Sequence, residues 1–270
     1  MDHDLRRYDL ASDIVRQHYQ QMRKEQTFEY VTRQRLENIR RLATKPHSAP
    51  IKTMLQQLTQ FKDASDPDLV NLPNWYHLYQ TAEGIRRAGL PRGFQAVGLI
   101  HDLGKVMYLW GNDKDGTSLE QQWGIAGDTF LVGCRLPEEC IYPEFNNLNP
   151  DMQDPVFSQP QGIYPPRCGL DQCLCAWGHD EYLYQVLAWN RQKHQLSELA
   201  LSVIRYHSLY PWHQDECYRE MMTEKDYETL KWVKIFNRYD LYTKDPSQTD
   251  FDVQYYQELL DEFFPVPLVW

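Results

Sequence analysis

The sequence predicts an all-α protein: a bundle of helices with an N-terminal helical segment and at most one small β-hairpin. Apolar residues recur at helical spacing in several separate segments. A single stretch, Trp123 to Gly133, reads as β-like, through Phe130, Leu131 and Val132. Hydrophobic residues make up 42% of the 270, so the chain can bury a sizeable core and is not of disordered composition.

The elements follow in order. Residues 1–45 are polar and charge-rich, with weak helical periodicity from Asp13 to Gln34, and form an N-terminal helical or lid segment; 46–270 form the single main domain. Ile51, Met54, Leu55 and Leu58 share one helical face, and an acidic turn, Asp63 to Asp68, follows. His77 to Ala88 reads as a helix with Gly89 as its C-cap. Pro91 starts the next helix, which is expected to run to about Leu103 and to end at Gly104. Gly111 to Gln122 is a polar surface loop. Leu136 to Leu174, rich in Pro, Asn, Asp and Gly, is a long irregular excursion, of the kind that usually lines or covers a site. Helices return at Trp177–Gln192, Ser197–His207 and Asp226–Thr243, the last with Thr223 and Asp226 placed like a capping box. The apolar tail, Phe263 to Trp270, packs back on the body.

Charge and cysteine usage exclude several classes. A net charge of -10 disfavours nucleic acid and anionic membranes as partners. No apolar run reaches the roughly 18 to 20 residues of a membrane span, and the start, MDHDLRRYDL, lacks the apolar core of a signal peptide. The expectation is a cytoplasmic monomer. The six cysteines contain no C-x-x-C pair, so reduced thiols are favoured over a zinc site.

The chemistry lies where polar groups interrupt apolar faces. In Val97–Lys105, VGLIHDLGK, a His and an Asp sit side by side in an apolar helix. Burying a charge without a partner is costly, and metal coordination offsets that cost. His179 starts one apolar stripe, His207 ends another, Asp240 follows Val233 and Phe236, and His77 heads a face of small residues, Thr81, Gly84 and Ala88, where another backbone could approach. Each alone reads as a hydrogen-bonded core residue or a cap. Together they surround the one dipeptide, His101-Asp102, that can serve two metals, because a carboxylate has two oxygens. Imidazole and carboxylate ligands with open positions favour a redox-active non-haem iron without excluding zinc or manganese.

The spacing of His77, His101-Asp102 and a distant Asp240 is the pattern of the HD-domain superfamily. Within it, the strings NWYHLYQTAEGIRRA, VGLIHDLGKV, GDTFLVGC, WGHDEYLYQV, RYHSLYPWH and FNRYDLYTK resemble the myo-inositol oxygenase family, colinearly from about Asp63 to the C-terminus. The resemblance implies an HD-domain-like bundle with two irons. His77, His101, Asp102 and Asp240 would hold one, and Asp102, His179 and His207 the other, with Asp102 and a solvent-derived hydroxide or oxide as bridges. It implies a mixed-valent Fe(II)/Fe(III) cluster and ring opening of myo-inositol by O₂ to D-glucuronate. Substrate contacts carry over to Asp63, Lys105, the Gly127 backbone, Asp128, Ser208, Lys244 and Arg6, with Lys105 and Asp102 as catalytic groups. Asp180, Glu181, Asp66 or Asp68 are candidates to fix the imidazoles from behind. The loop at 111–122 and the stretch between His179 and His207 are longer than in animal members. Two other readings remain open at this point: an HD-type metal-dependent phosphohydrolase, and a mixed-valent oxygenase of another polyol or a phosphonate.

Overall fold

The computed structural model describes residues 8–66, 74–240 and 250–270. Ten α-helices are described: α1 (Asp13–Glu25), α2 (Phe28–Thr44), α3 (Ile51–Gln57), α4 (Asn74–Arg87), α5 (Arg92–Ile100), α6 (His179–Trp189), α7 (Glu198–Tyr206), α8 (Tyr210–His213), α9 (Glu224–Asp240) and α10 (Val253–Phe263). Strands are few and very short: β1 (Ser48–Ala49), β2 (Leu131–Val132), β3 (Leu174–Cys175) and β4 (Leu268–Val269). The protein is all-α, and no described helix is long and apolar enough to cross a membrane.

Helices α4, α5, α6, α7 and α9 pack on one another around a 3-10 segment, His101–Trp110. Leu78, Ala82, Ile85, Val97, Leu99, Ile100, Val186, Val203, Ile204, Val233 and Phe236 are all fully buried there. Each such side chain contributes about 1.5–3 kcal/mol, which lets this core carry several polar groups. The tightest approach of α4 to α5 differs from the expected one. A Cβ on Gly98 would meet Ala82 Cα at 2.9 Å and Ile85 Cδ1 at 2.8 Å, so the small-residue contact is Ala82 against Gly98.

The N-terminal periodicity resolves into two helices. Thr27 caps α2 by accepting from the Tyr30 N–H at 3.1 Å, and this cap separates it from α1. Gln26, at the break, is fully buried; its side chain bonds the Trp177 N–H and C=O at 2.9 and 2.6 Å. Helix α2 is fastened to α6: Arg35 pairs with Glu181, and Asn38 donates to Gln185 at 2.9 Å. Glu181 also takes Arg205 of α7 at 2.7 Å.

The strands form two antiparallel ladders rather than one hairpin. β2 pairs with β3 across the whole 133–173 excursion, Leu131 opposite Cys175. β1 pairs with β4, Ala49 opposite Leu268, so the tail does pack back. Trp270 is fully buried, and its indole N–H donates to Ala49 O at 3.1 Å. The excursion carries short 3-10 turns such as Pro143–Leu148 and clamps α1. Arg16 meets Glu144 at 2.8 Å, Arg23 donates to Ile141 O at 2.8 Å, and Asn149 donates to Arg23 O at 2.9 Å.

Two segments differ from the sequence expectation. Helix α5 ends at Ile100, whose backbone leaves helical geometry (φ -124°, ψ -4°), and the chain continues as a 3-10 helix. Gly104 is therefore not a C-cap. A Cβ there would lie 1.9 Å from His179 O, so glycine is what lets the 3-10 segment touch the start of α6. The 111–122 loop is only partly a surface loop, since Asp115, Gly116 and Thr117 are buried. At α9, Asp226 accepts from the Thr223 N–H at 2.7 Å, while the Thr223 hydroxyl bonds that carboxylate instead of returning the cap.

Candidate metal centre

The metal-capable residues sit mostly at helix ends. His101 and Asp102 follow the last turn of α5, His179 opens α6 and His207 is the C-cap of α7; His77 lies in α4 and Asp240 in α9. All six are buried. His77, His101 and Asp102 offer ligand atoms within 4.8 Å of one another, and so do Asp102, His179 and His207. Asp240 joins the first group, with Oδ1 at 2.8 Å from His77 Nε2 and 3.2 Å from His101 Nε2. Asp102 stands between the groups. Its Oδ1 is 3.1 Å from His179 Nε2 and 3.7 Å from His207 Nε2, and its Oδ2 is 3.8 Å from His101 Nε2.

Three of the imidazoles are oriented from behind by backbone. His101 Nδ1 faces Gly98 O at 2.9 Å, His207 Nδ1 faces Ile204 O at 2.7 Å, and His179 Nδ1 faces Ile125 O at 2.8 Å. Each carbonyl fixes the proton on Nδ1 and leaves Nε2 as the ligating atom. The acidic residues expected in this role do other work. Asp180 lies on the Nε2 side of His179, at 2.9 Å, and accepts from Thr129 at 3.0 Å. Glu181 joins α2, α6 and α7, Asp66 lines the pocket, and Asp68 lies outside the described residues.

Electrostatics test whether a cation fits. Among the described residues, Asp63, Asp102, Asp180 and Asp240 are buried carboxylates near one buried ammonium, Lys105. Burial alone would raise the Asp102 carboxyl, but Lys105 and His101 outweigh it and hold it well below the usual range. The same contest, with His101 and His77 prevailing, keeps Asp240 ionised. Burial disfavours a charged His179, yet Asp180 and Asp102 outweigh that and push it up to about 10. So much negative charge calls for a cation, and a metal displaces the protons the histidines otherwise keep. With the Nδ1 proton held by Gly98 O, the buried His101 Nε2 meets only the carboxylate oxygens of Asp240 and Asp102, acceptors like itself, the setting of a ligand nitrogen. The donor set fits one or two metal ions.

The 3-10 segment explains where Lys105 points. With three residues per turn, i and i+3 share a face, and Lys105 Nζ lies 2.7 Å from Asp102 Oδ2. Its second partner is Asp63 Oδ2 at 2.6 Å. Asp63 Oδ1 in turn accepts from the Ser65 N–H and hydroxyl at 2.8 and 2.6 Å. Burial opposes the charge on Lys105, but Asp102 and Asp63 prevail, so its pKa is raised and it stays protonated at neutral pH.

These groups open on a cavity of about 430 Å³. Asp63, Lys105, Gly127, Asp128 and Ser208 all line it, beside His77, Asp102, His179, His207 and Asp240. Gly127 has φ +105°, a conformation that favours glycine, and its ideal Cβ would crowd Met22 Sδ at 3.1 Å. Arg6 and Lys244 lie outside the described residues. Sequence reasoning missed Tyr8, Tyr19, Ser65 and Tyr210, which also line the cavity. Tyr19 donates to Asp128 Oδ1 at 3.3 Å. Ser65 and Tyr210 each stand two residues from an expected residue that lines the cavity, Asp63 and Ser208. Tyr19 carried no signal, because it sits on the apolar stripe of α1. The excursion does not line the cavity itself; it holds α1, which does.

Comparison with known proteins points to one family. The family model for myo-inositol oxygenase matches residues 12–270. The mouse protein named inositol oxygenase is 43% identical over 256 residues, 93% of this chain and 85% of its own length. The human protein of that name is 47% identical over 212 residues, 77% of this chain and 70% of its own. A rice protein named probable inositol oxygenase is 38% identical across 98% of this chain and 84% of its own. The chain belongs to the myo-inositol oxygenase family.

Proposed function

We propose that this protein uses O₂ to open the ring of myo-inositol to D-glucuronate, on a centre of two irons. His77, His101, Asp102 and Asp240 would hold one iron, and Asp102, His179 and His207 the other, with a solvent-derived bridge between them. The observation that carries this reading is the position of Asp102, one carboxylate facing two groups of histidines beside a polar cavity. In the overall reaction myo-inositol loses four electrons and the C1–C6 bond. One oxygen of O₂ enters the carboxylate and the other leaves as water. The mixed-valent irons supply the activation of O₂ and a Lewis-acid hold on substrate hydroxyls.

The chain's own residues bind, orient and shield. Protonated Lys105, fixed by Asp63 and Asp102, donates to a substrate oxygen as it gains negative charge, and so acts as an electrostatic stabiliser rather than a base. Asp128, Ser208 and the Gly127 backbone offer acceptors and donors suited to a neutral ring of hydroxyls. Tyr8 and Tyr19, from the N-terminal segment, cover the cavity and keep water out. Arg6 and Lys244, outside the described residues, are further substrate contacts only by the family resemblance. Phosphohydrolase chemistry is disfavoured: among the described lining residues Lys105 is the one Lys or Arg, and two carboxylates already hold it. The reading includes a monomer in a reducing, cytoplasmic setting, supported by six free cysteines. Iron-loaded, partly reduced protein given myo-inositol should consume O₂ and yield glucuronate in equal amounts. Absence of O₂ uptake with myo-inositol would overturn the proposal.

A further inference from the structure

A second cavity lies between α2, the C-terminal half of the 3-10 segment and the loop that follows it. It holds about 500 Å³ of empty space, part of it open to solvent. None of its lining residues lines the catalytic cavity. Its walls combine aromatic rings, Trp110, Trp177 and Tyr182, with the polar side chains of Gln34, Asn38 and Arg41.

One donor in these walls is unused and two more are poorly satisfied. Trp177 is 3% exposed, and its indole N–H has no hydrogen-bond partner. The Gln34 amide nitrogen, in a residue 7% exposed, and the Trp110 indole N–H lack a hydrogen bond of good geometry; they lean toward Asp115 and Tyr182. A buried donor without an acceptor is costly, and the Trp177 N–H, with the poorly satisfied Gln34 and Trp110 donors beside it, calls for a ligand or water that supplies oxygens. The platform behind them is rigid. The Arg41 guanidinium lies 4.4 Å from the Trp110 ring centroid and donates to Asn38 Oδ1 at 3.0 Å and the Tyr182 hydroxyl at 3.3 Å. The charge is not that of an anion receptor, because Arg41 shares the walls with Glu37 and Asp115.

We propose that this cavity is a second ligand site, for a neutral polyhydroxylated ring: a sugar or a cyclitol. Neutral N–H donors receive hydroxyl oxygens, the Asp115 carboxylate accepts a hydroxyl hydrogen, and the aromatic rings meet the C–H faces. The inference does not depend on the catalytic reading.

The test is a titration of iron-loaded protein, under nitrogen, with D-glucose, with myo-inositol and with the anionic D-gluconate, followed by tryptophan emission. Trp177→Phe removes the indole N–H, and Gln34→Leu removes the amide. The expected result is a saturable change with the neutral compounds and none with gluconate. Each substitution should weaken it at least about tenfold, while the KM for myo-inositol in turnover stays the same. If one variant fails to fold, the other carries the comparison. A response to D-glucose that survives loss of turnover would separate this site from the proposed activity. No saturable change up to the solubility limit would mean that water alone fills the cavity, and would overturn the proposal. Preference for gluconate, or a response untouched by both substitutions, would overturn it equally.

Discussion

Asp102 divides its work between its two oxygens. Oδ1 faces His179 and His207, and Oδ2 faces Lys105 and, at 3.8 Å, His101. If it bridges two metals, Asp102→Ala should lose both together, with metal per chain falling toward zero in elemental analysis. A variant that keeps two irons would refute the bridge. Lys105→Ala should keep the metal, because the ammonium is not a ligand, and should lower kcat by about 10²–10³-fold, the usual cost of one oxyanion donor. Near-normal turnover would return Lys105 to a structural ion pair with Asp63. The ligand residues were legible because each interrupts or ends an apolar stripe where a lone polar group has no bland reason to be. Tyr19 was not legible, because a tyrosine on an apolar stripe looks like core until a cavity is seen beside it; Tyr8, in a short turn ahead of α1, carried no pattern at all. The imidazole partners were unreadable for another reason: they are carbonyls of Gly98, Ile125 and Ile204, and any residue supplies a carbonyl.

Helix ends, more than helix faces, build the centre. His101, His179 and His207 all stand where a helix starts or stops, so element boundaries decide much of the geometry. The existence of α4, α5, α6, α7 and α9 was readable from periodicity. The change at Ile100 from α to 3-10 was not, because nothing local demands it; the contact of Gly104 with His179 O, far along the chain, sets it. Gly104→Ala should therefore push the 3-10 segment off α6. The expected cost is about 1–3 kcal/mol, as for other overpacked sites, seen as a lower melting temperature together with weaker metal retention. An unchanged melting temperature and full metal content would show that the two elements have slack. The β1–β4 ladder was not legible, because its register depends on Trp270 reaching Ala49, far back along the chain. The missed α10 did carry local signals, Asp252 as its N-cap and Tyr256, Leu259 and Leu260 on its buried face.

At the scale of the whole molecule, the N-terminal helices are held on the bundle at both ends, α1 by the excursion and α2 by Glu181 and Gln185 of α6. That arrangement gives the long irregular stretch its purpose, which its composition hinted at and its sequence did not specify. The packing also fixes an acid response. Buried His194 donates from Nε2 to Leu187 O at 3.0 Å and accepts the Leu196 N–H on Nδ1 at 3.2 Å, a pairing open only to the neutral ring. Burial lowers its pKa below the ordinary 6.5. The unfolded chain therefore binds the proton more readily. The stability this residue contributes is full above pH 6.5 and is lost as pH falls through the lowered value. The melting temperature should drop between neutral and mildly acidic pH, and His194→Gln should flatten that slope while lowering the neutral plateau. An equally steep slope in the variant would assign the acid response elsewhere. The central claim, two coupled irons on Asp102 beside a polyol cavity, is tested most directly by EPR of the partly reduced, iron-loaded protein with and without myo-inositol. The account predicts a half-integer-spin signal from a coupled Fe(II)/Fe(III) pair whose shape changes when myo-inositol is added. A signal from isolated ferric ions alone, or a coupled signal indifferent to myo-inositol, would contradict it.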